Sequence, residues 1–334
     1  MDVRYTAEQA ALRDSVAQIV DRFGPRAVGQ LDDAERALKL DATIEAAGLR
    51  ELRAATSDGA PWASGVEVAI VAEQLGRGLA DAPFLGPTLA AELRRVAGLP
   101  FDGLRETVAM RPGLSVLAAP NEQAVAIDAA HADSALMLAV HDTLVSVPVP
   151  DATSEVDLTR ATVPLEPASG VVLGTIPPGA ISRWTALALT ATAADLIGTM
   201  QGAIDLTCAH VTDRHQFGRP VGSFQAVQHL LADAVVQLEG SRASLRHAAW
   251  AVDALEPGDA LAAAASTKAY ASRAAKAVHE IAIQLHGGIG NTWECLAHVY
   301  LRRALTSSDL FGGVGPNLAR VLEHRGIGGA HGLR

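Results

Sequence analysis

The stretch RHQFGRPVGSFQAVQHLLAD, residues 214–233, follows one run with helical spacing of apolar residues and contains the start of a second. Pro257-Gly258 separates the second run from a third, which ends at the glycine-rich stretch QLHGGIG, residues 284–290. The apolar positions are Leu196, Met200, Ile204 and Val211 in the first run, Val227, Leu230, Leu231, Val235 and Leu238 in the second, and Ala271, Ala274, Ala275, Val278, Ile281 and Leu285 in the third. These positions recur as on one face of an amphipathic helix. Long helices joined by short turns predict an antiparallel four-helix bundle.

The composition along the chain indicates three parts. Residues 1–105 predict an N-terminal helical domain, and residues 106–178 predict a small, reduced β domain. Residues 179–325 contain the predicted C-terminal helical bundle, and the glycine-rich residues 326–334 are predicted to form a mobile tail. The predicted fold class is therefore mainly α with a small β domain.

Local signals support these parts. Thr6 and Gln9 have the spacing of a capping box, which predicts a helix start. Helical spacing also extends from Gly65 to Leu79. Short β-rich runs bounded by turn residues predict strands at 136–140, 143–147 and 170–173.

The composition restricts the classes of partner. The chain has 334 residues, of which 49% are hydrophobic and 19% charged, so we expect a well-filled core. A net charge of -10 argues against binding to nucleic acid or to an anionic membrane. No uninterrupted apolar 18-mer and no apolar N-terminal run are present, so we expect no membrane span and a cytoplasmic location. A metabolite is the expected partner.

Several isolated residues are predicted to be structural. Cys208 and Cys295 lack CxxC spacing and are predicted to be small core residues rather than a disulfide or zinc site. No metal site is predicted either, because the histidines near the two motifs lack metal-ligand spacing; these are His215, His229 and His286. Local packing or hydrogen bonding is the expected role of those histidines. Lys268 and Lys276 are predicted to be surface charges, Arg302 and Arg303 a solvated or interface face, and Trp62 a core or interface residue.

Two motifs carry candidate chemistry. Arg214 follows a helix and can contact a phosphate with two hydrogen bonds, while Phe217 can cover an apolar ring face. The alternative is a solvated arginine at a helix end. Gly287 and Gly288 follow a helix rather than a strand, so they are not a Rossmann fingerprint. They either expose backbone to a ligand, with Gln284 supplying an amide, or form an ordinary helix C-cap.

In combination, RHQFGRPVGSFQAVQHLLAD, about fifty residues of helix, and QLHGGIGNTWECLAHVYLRRA resemble the carboxy-terminal half of the acyl-CoA dehydrogenases. The helix, β, helix order of domains also agrees with that family. The resemblance implies the cofactor flavin adenine dinucleotide (FAD), with contacts that reach across a dimer interface to a cofactor whose flavin ring sits in the other subunit. The residues implied to contact its adenosine diphosphate portion are Arg214, Gln216, Phe217, Gln225, Gln284, Gly287 and Gly288.

The family's reaction needs a carboxylate that removes the α proton of an acyl-CoA thioester. Counted along the motifs, the usual position of this base falls on Phe311 and the alternative position on Ala188. An arginine that helps to hold the acyl-CoA in relatives is replaced by Leu189. The β domain also lacks segments like the family's Glu-Pro-x-Ala-Gly-Ser-Asp and Trp-x-Thr. The catalytic residue of this chain is therefore unknown.

Three hypotheses follow from the absence of these family residues. The first is a noncatalytic FAD-binding subunit that completes a partner's site, similar to subunits of the heteromeric acyl-CoA dehydrogenases of actinobacterial steroid side-chain degradation. That resemblance implies a heterotetramer with a second dehydrogenase-like subunit, a bulky acyl-CoA substrate and an electron-transferring flavoprotein as acceptor. The second hypothesis is a self-sufficient enzyme with a relocated base, for which Asp309 is the nearest acidic residue. The third is a flavin-free helical scaffold.

Overall fold

The computed structural model describes residues 4–101, 103, 105–151 and 157–327. The predicted mobile tail therefore lies mostly outside the described residues. Among these described residues, four α-helices precede a six-stranded sheet, and further helices follow the sheet. The helices before the sheet are α1 (Ala7–Phe23), α2 (Ala34–Ala46), α3 (Gly65–Arg77) and α4 (Leu85–Val96). The order confirms the predicted fold class, mainly α with a small β domain.

Capping boxes define the starts of α1 and α3. The hydroxyl of Thr6 accepts a hydrogen bond from the backbone N–H of Gln9 (3.2 Å), whose side-chain oxygen accepts one from the N–H of Thr6 (3.0 Å). The predicted capping box is confirmed. Ser64 and Glu67 form the same arrangement before α3. The sequence pattern extended this helix to Leu79, but it ends at Arg77 because Gly78 caps it.

The sheet is small and largely antiparallel. Its strands are β1 (Glu106–Met110), β2 (Ala124–Ile127), β3 (Ser134–Ala139), β4 (Thr143–Pro148), β5 (Val163–Leu165) and β6 (Val171–Thr175), in the spatial order β5-β2-β1-β3-β4-β6. Only the pairing of β1 with β3 is parallel among these neighbours. The three strands predicted from sequence correspond to β3, β4 and β6, within one or two residues at each end.

The helices after the sheet form the predicted bundle. They are α5 (Ala180–Asp213), α6 (Gln225–Ala254), α7 (Pro257–His286), α8 (Ala297–Asp309) and α9 (Val314–His324). Helices α5, α6, α7 and α8 pack together, and α9 packs on α7. Between α5 and α6, a two-residue hairpin pairs β7 (His215–Gln216) with β8 (Arg219–Pro220).

Glycines allow α3 and α5 to pack at very short range. A Cβ atom added at Gly198 of α5 would lie 2.0 Å from the carbonyl oxygen of Glu73 on α3. One added at Gly76 of α3 would lie 2.5 Å from the carbonyl oxygen of Asp195. Because both contacts are shorter than van der Waals distance, only glycine fits at these crossings. Helix α5 is therefore held between α3 and α7, which fixes the position of its C-terminal end.

Three predictions about single residues are wrong. Lys268 is 0% exposed, because α8 and α9 pack over α7 and cover it. Arg303 is buried as well, since it points into the protein and pairs with Asp195. Cys208 is exposed, because it lies on an outward position of α5. Periodicity shows which residues share a helix face, but later chain segments decide which faces are covered.

Other predictions have mixed outcomes. Cys295 is buried and the side chain of Lys276 is exposed, as predicted. Val235 belongs to a predicted core stripe but is 43% exposed, because α6 turns this position away from the bundle. Trp62 is 74% exposed and does not pack in the core of this chain. None of the described helices is both long and apolar enough to cross a membrane.

Candidate functional site

The first motif forms a tight turn where α5 ends. The backbone N–H of Arg214 donates to the carbonyl of His210 (2.9 Å), and the carbonyl of Arg214 accepts from the N–H of Val221 (2.7 Å). The hairpin between them turns at Phe217 (φ 51°) and Gly218 (φ 78°). Two successive positive φ angles are typical of the tight turns that match the twist of a hairpin. The positive φ angle of Phe217 is unfavourable for a residue with a side chain, and a glycine at this position would avoid that cost.

The polar side chains of this turn point into solvent. Arg214, Gln216 and Gln225 are exposed, and no hydrogen bond or ion pair of their side chains joins them to another described residue. Phe217 is 93% exposed and touches Phe224 with ring centroids 6.2 Å apart. An exposed aromatic ring beside unpaired polar groups is typical of a surface that binds a ligand or a partner.

The second motif exposes bare backbone at the end of α7. Gly287 has φ 64° and ψ -142°, a conformation that is essentially restricted to glycine. A Cβ atom at Gly287 or Gly288 would meet no described atom within 4 Å beyond the adjoining backbone and chain neighbours, so the space beside both is open. Gln284 is exposed one turn earlier, and its side chain has no hydrogen bond within the part of the chain that the structure describes.

A histidine pair joins the two motifs. The rings of His210 on α5 and His286 on α7 stack with centroids 4.5 Å apart. The ring of His286 also contacts the carbonyl of Ala282 through Nδ1 (2.8 Å). Burial lowers the pKa of His286, but hydrogen bonds to Cys295 and Ala282 outweigh burial and leave the pKa raised. Packing and hydrogen bonding is thus the role of His286, as predicted. His210 was missed, because nothing in the sequence marked it as a neighbour of His286.

The usual position of the base lies in a packed interior. Phe311 is 1% exposed, and its N–H donates to the carbonyl of Leu114 (2.6 Å). Its ring meets Trp184 edge to face at 5.7 Å. Ala188, the alternative position, and Leu189 are fully buried among apolar residues. No proton acceptor is therefore present at either position.

Three polar side chains hold the loop that carries Phe311. The ammonium of Lys268 donates to the carbonyls of Ser308 (2.8 Å) and Gly312 (3.2 Å). Asn317 donates to the carbonyl of Gly312 (2.6 Å), and Arg320 donates to that of Phe311 (2.7 Å). Burial lowers the pKa of Lys268 to about 7, and the nearby charge of Asp309 opposes that shift only in part. This scaffold keeps Phe311 in place with φ 59°.

A buried ion network lies next to this loop. Asp195 of α5 pairs with Arg160 (2.6 Å) and Arg303 (2.7 Å), and it accepts a hydrogen bond from Ser307 (2.7 Å). Burial alone would raise the pKa of Asp195, but the charges of Arg160 and Arg303 hold it below its usual value. The network joins the segment after β4 to α5 and α8. In the sequence, the one indication of this network is Asp195, an isolated carboxylate in the apolar run of α5.

Little empty space remains around these residues. One cavity, lined in part by Leu114, Ile127 and Leu310, encloses about 10 Å³. A second, lined in part by Phe84, Asp195 and Arg303, also encloses about 10 Å³. Each holds about one water molecule, whereas a site for a cofactor ring needs several hundred Å³. The residues present here do not fit a flavin ring.

Comparison with known proteins identifies the family. The model of the acyl-CoA dehydrogenase C-terminal domain matches residues 187–314. Acyl-CoA dehydrogenase IpdE2 of Mycolicibacterium smegmatis is 31% identical over 332 residues, which cover 94% of this chain and 97% of that protein. The chain belongs to the acyl-CoA dehydrogenase family. It is thus a member of a family of flavin-dependent oxidoreductases.

Solved structures share the fold of this dehydrogenase family member. A variant of the Tcur3481-Tcur3483 steroid ACAD superimposes with a TM-score of 0.80 at 24% identity, covering 96% of this chain and 98% of that one. The ChsE4-ChsE5 complex from Mycobacterium tuberculosis gives a TM-score of 0.78 at 23% identity, covering 98% of this chain and 99% of that one. At such identities the match establishes the architecture.

The remaining acidic candidate for the base is an exposed residue. Asp309 is exposed at the end of α8, two residues before the buried Phe311. Its backbone carbonyl accepts a hydrogen bond from Gly312 (2.9 Å), so the turn fixes its backbone. A general base must reach the proton that it removes, and this carboxylate faces solvent.

Proposed function

We propose that this chain is the FAD-binding, base-lacking subunit of a heteromeric acyl-CoA dehydrogenase. In this proposal it contacts the adenosine diphosphate portion of a cofactor whose flavin ring lies in a partner subunit. The observation that carries the proposal is a contrast within the chain. The two motifs present exposed, unpaired side chains and bare backbone, whereas Phe311 and Trp184 fill the interior where the base position lies.

The motif residues suit a diphosphate and its nucleoside. The guanidinium of Arg214 offers two parallel donors to a phosphate, and Gln216, Gln225 and Gln284 offer amides. The open space beside Gly287 and Gly288 lets a ligand approach the backbone closely. The stack of His210 on His286 supports a single binding face built from both motifs.

The α,β-dehydrogenation of an acyl-CoA thioester then takes place in the partner. Bound FAD supplies the hydride acceptor of this reaction. The proton acceptor has to come from the other subunit, since Phe311 and Ala188 cannot take a proton. We propose a heterotetramer with a second dehydrogenase-like subunit, and an electron-transferring flavoprotein as the acceptor of electrons.

The substrate class is proposed from the relatives. The name of the Tcur3481-Tcur3483 protein describes it as a steroid acyl-CoA dehydrogenase (ACAD). ChsE4-ChsE5 is described as a complex, which agrees with the proposed assembly of two subunits. We therefore propose a bulky, steroid-derived acyl-CoA as substrate. A self-sufficient enzyme with Asp309 as base has less support, because this carboxylate is exposed and the neighbouring cavities hold about one water each. The third hypothesis, a flavin-free scaffold, has less support because it assigns no role to the unpaired side chains of Arg214 and Gln284.

Flavin retention by the assembled complex tests the proposal. Arg214→Ala should increase flavin loss during gel filtration, because it removes the phosphate donor. Arg273→Ala is the matched control, since Arg273 is an exposed arginine of α7 outside both motifs. Equal flavin retention in wild type and Arg214→Ala would count against the proposal, as would equal loss in both variants.

A further inference from the structure

A groove between α1, α3, α5 and α6 is separate from the proposed flavin face. It consists of two adjoining cavities of about 460 Å³ and about 310 Å³, which share Tyr5 and Arg246. Its lining includes none of the residues that we assign to FAD, to the loop of Phe311 or to the buried ion network. Both volumes are in the range of small-molecule sites. The proposed function leaves this groove without a role.

The larger cavity offers apolar and aromatic surface. Val66 and Ala69 of α3 line it together with Leu245 and Trp250 of α6. Tyr5, at its boundary with the smaller cavity, is partly buried. Trp250 remains partly exposed, so its ring is accessible from the groove. Aromatic rings of this kind offer a flat ligand both area and stacking geometry.

The smaller cavity is lined by charged residues of both signs. Four arginines face it against two carboxylates; the set is Arg13, Arg77, Arg242, Arg246, Glu73 and Asp205. Arg242 pairs with Glu73 (2.8 Å), and Arg77 pairs with Asp21 (2.7 Å) outside the cavity. Arg13 pairs with Asp14 (2.7 Å), so three of the four arginines have carboxylate partners.

Arg246 differs from the other three arginines. Its guanidinium lies over the ring of Tyr5, 5.5 Å from the ring centroid. Its Nε–H is shielded from solvent and has no acceptor among the described residues. A buried donor without an acceptor is costly, and a ligand that brings an acceptor removes that cost. The donor lies at the junction of the larger and the smaller cavity.

We propose that this groove binds a nucleoside monophosphate or a similar aromatic phosphate. The phosphate lies at Arg246, whose Nε–H has no acceptor among the described residues, and the neighbouring arginines offer further donors to its oxygens. The flat base lies in the larger cavity against Tyr5 and Trp250. Because Arg246 contributes to both cavities, it is the residue on which recognition of the whole ligand depends.

Isothermal titration of the full chain with AMP tests this inference. We expect saturable binding, at least about tenfold tighter than that of inorganic phosphate or of adenosine alone, because each carries half of the ligand. Arg246→Gln should weaken AMP binding about tenfold or more, because it removes the charged donors and keeps a shorter polar side chain. Arg273→Gln on the surface of α7 is the matched control and should leave binding unchanged.

Two further variants separate this groove from the proposed flavin face, since FAD also contains an AMP unit. Arg214→Ala should leave AMP binding to the groove intact. Trp250→Leu should weaken AMP binding without changing phosphate binding, and it provides a second test if Arg246→Gln does not fold. Absence of saturable AMP binding would overturn the inference. Loss of binding in Arg214→Ala, with normal binding in Arg246→Gln, would also overturn it and assign AMP to the flavin face.

Discussion

Phe217 and Phe311 both have a positive φ, 51° and 59°, but they lie in regions with opposite surroundings. Phe217 is 93% exposed in the turn after α5, beside polar side chains that have no partners within the described chain. Phe311 is 1% exposed, and hydrogen bonds from neighbouring side chains hold its loop. Both residues thus have a strained backbone, but the ring of Phe217 lies in solvent and the ring of Phe311 lies in the core.

The two regions illustrate two requirements of a complete enzyme, a surface that binds a ligand and an interior that is tightly packed. A surface that binds a ligand or a partner subunit needs polar groups that have no partner within their own chain. In the turn after α5, such groups lie beside the exposed apolar ring of Phe217. A tightly packed interior gains stability because its side chains fill the available space. The comparison predicts that substitutions near Phe311 reduce stability, whereas those near Phe217 change binding and leave stability nearly unchanged.

The matched substitutions Phe311→Ala and Phe217→Ala should differ most. Removing the buried ring should lower the free energy of unfolding by about 3–5 kcal/mol, since a large core side chain leaves a cavity. Removing the exposed ring should change it by less than about 0.5 kcal/mol. Urea titration followed by circular dichroism measures both. Similar values for the two variants would mean that Phe311 is not a packing residue.

Asp195→Ala should have an effect almost as large. It leaves Arg160 and Arg303 buried without the carboxylate that pairs with them, and breaking a buried ion pair on one side costs about 3–5 kcal/mol. Asp309→Asn is the control, because this exposed side chain should change stability by less than about 0.5 kcal/mol. A loss below about 1 kcal/mol for Asp195→Ala would contradict the network's structural role.

Lys268 should make the filled region sensitive to pH. Its pKa falls from 10.5 to about 7 on burial, and Asp309 and Arg320 are the charged groups that act on it. Between these values the unfolded chain holds a proton that the folded chain has lost. Stability should therefore rise with pH across this window, by up to about 1.4 kcal/mol per pH unit, and decline as pH falls toward 7. Lys268→Met should remove this part of the slope in urea titrations across that pH range, and an unchanged slope would mean that Lys268 keeps an ordinary pKa.

Arg214→Ala should have the smallest effect on stability. Its side chain is exposed and has no partner within residues 4–101, 103, 105–151 and 157–327. We expect a change below about 0.5 kcal/mol in the same titration. A loss above about 1 kcal/mol would mean that Arg214 supports the turn itself, and the contrast between the two regions would weaken.

Much of the fold follows from local sequence signals. The capping box of Thr6 and Gln9, the strands β3, β4 and β6, and the long helices were predicted from spacing and turn residues. The two motifs identified the family because their order along the chain is specific. The roles of Arg214, Gln284 and the other motif residues stay predictions.

Contacts between distant segments could not be predicted in this way. The buried ammonium of Lys268 contacts Ser308 at the end of α8 and Gly312 in the loop after it, which lie 40 and 44 residues further along the chain. Arg303 and Asp195 are 108 residues apart, and no spacing rule relates them. The stack of His210 on His286 depends on how α5 and α7 pack. Each of these contacts becomes visible only once the helices are assembled.

Flavin content and turnover, measured for the chain alone and together with candidate partner subunits, test the central claim most directly. The account predicts substoichiometric flavin and no acyl-CoA-dependent dye reduction for the chain alone, because Phe311 and Ala188 occupy the two base positions and the two cavities near Phe311 hold about one water each. It predicts both flavin and turnover for the heteromeric complex. Full flavin loading and turnover by the purified chain alone would contradict it.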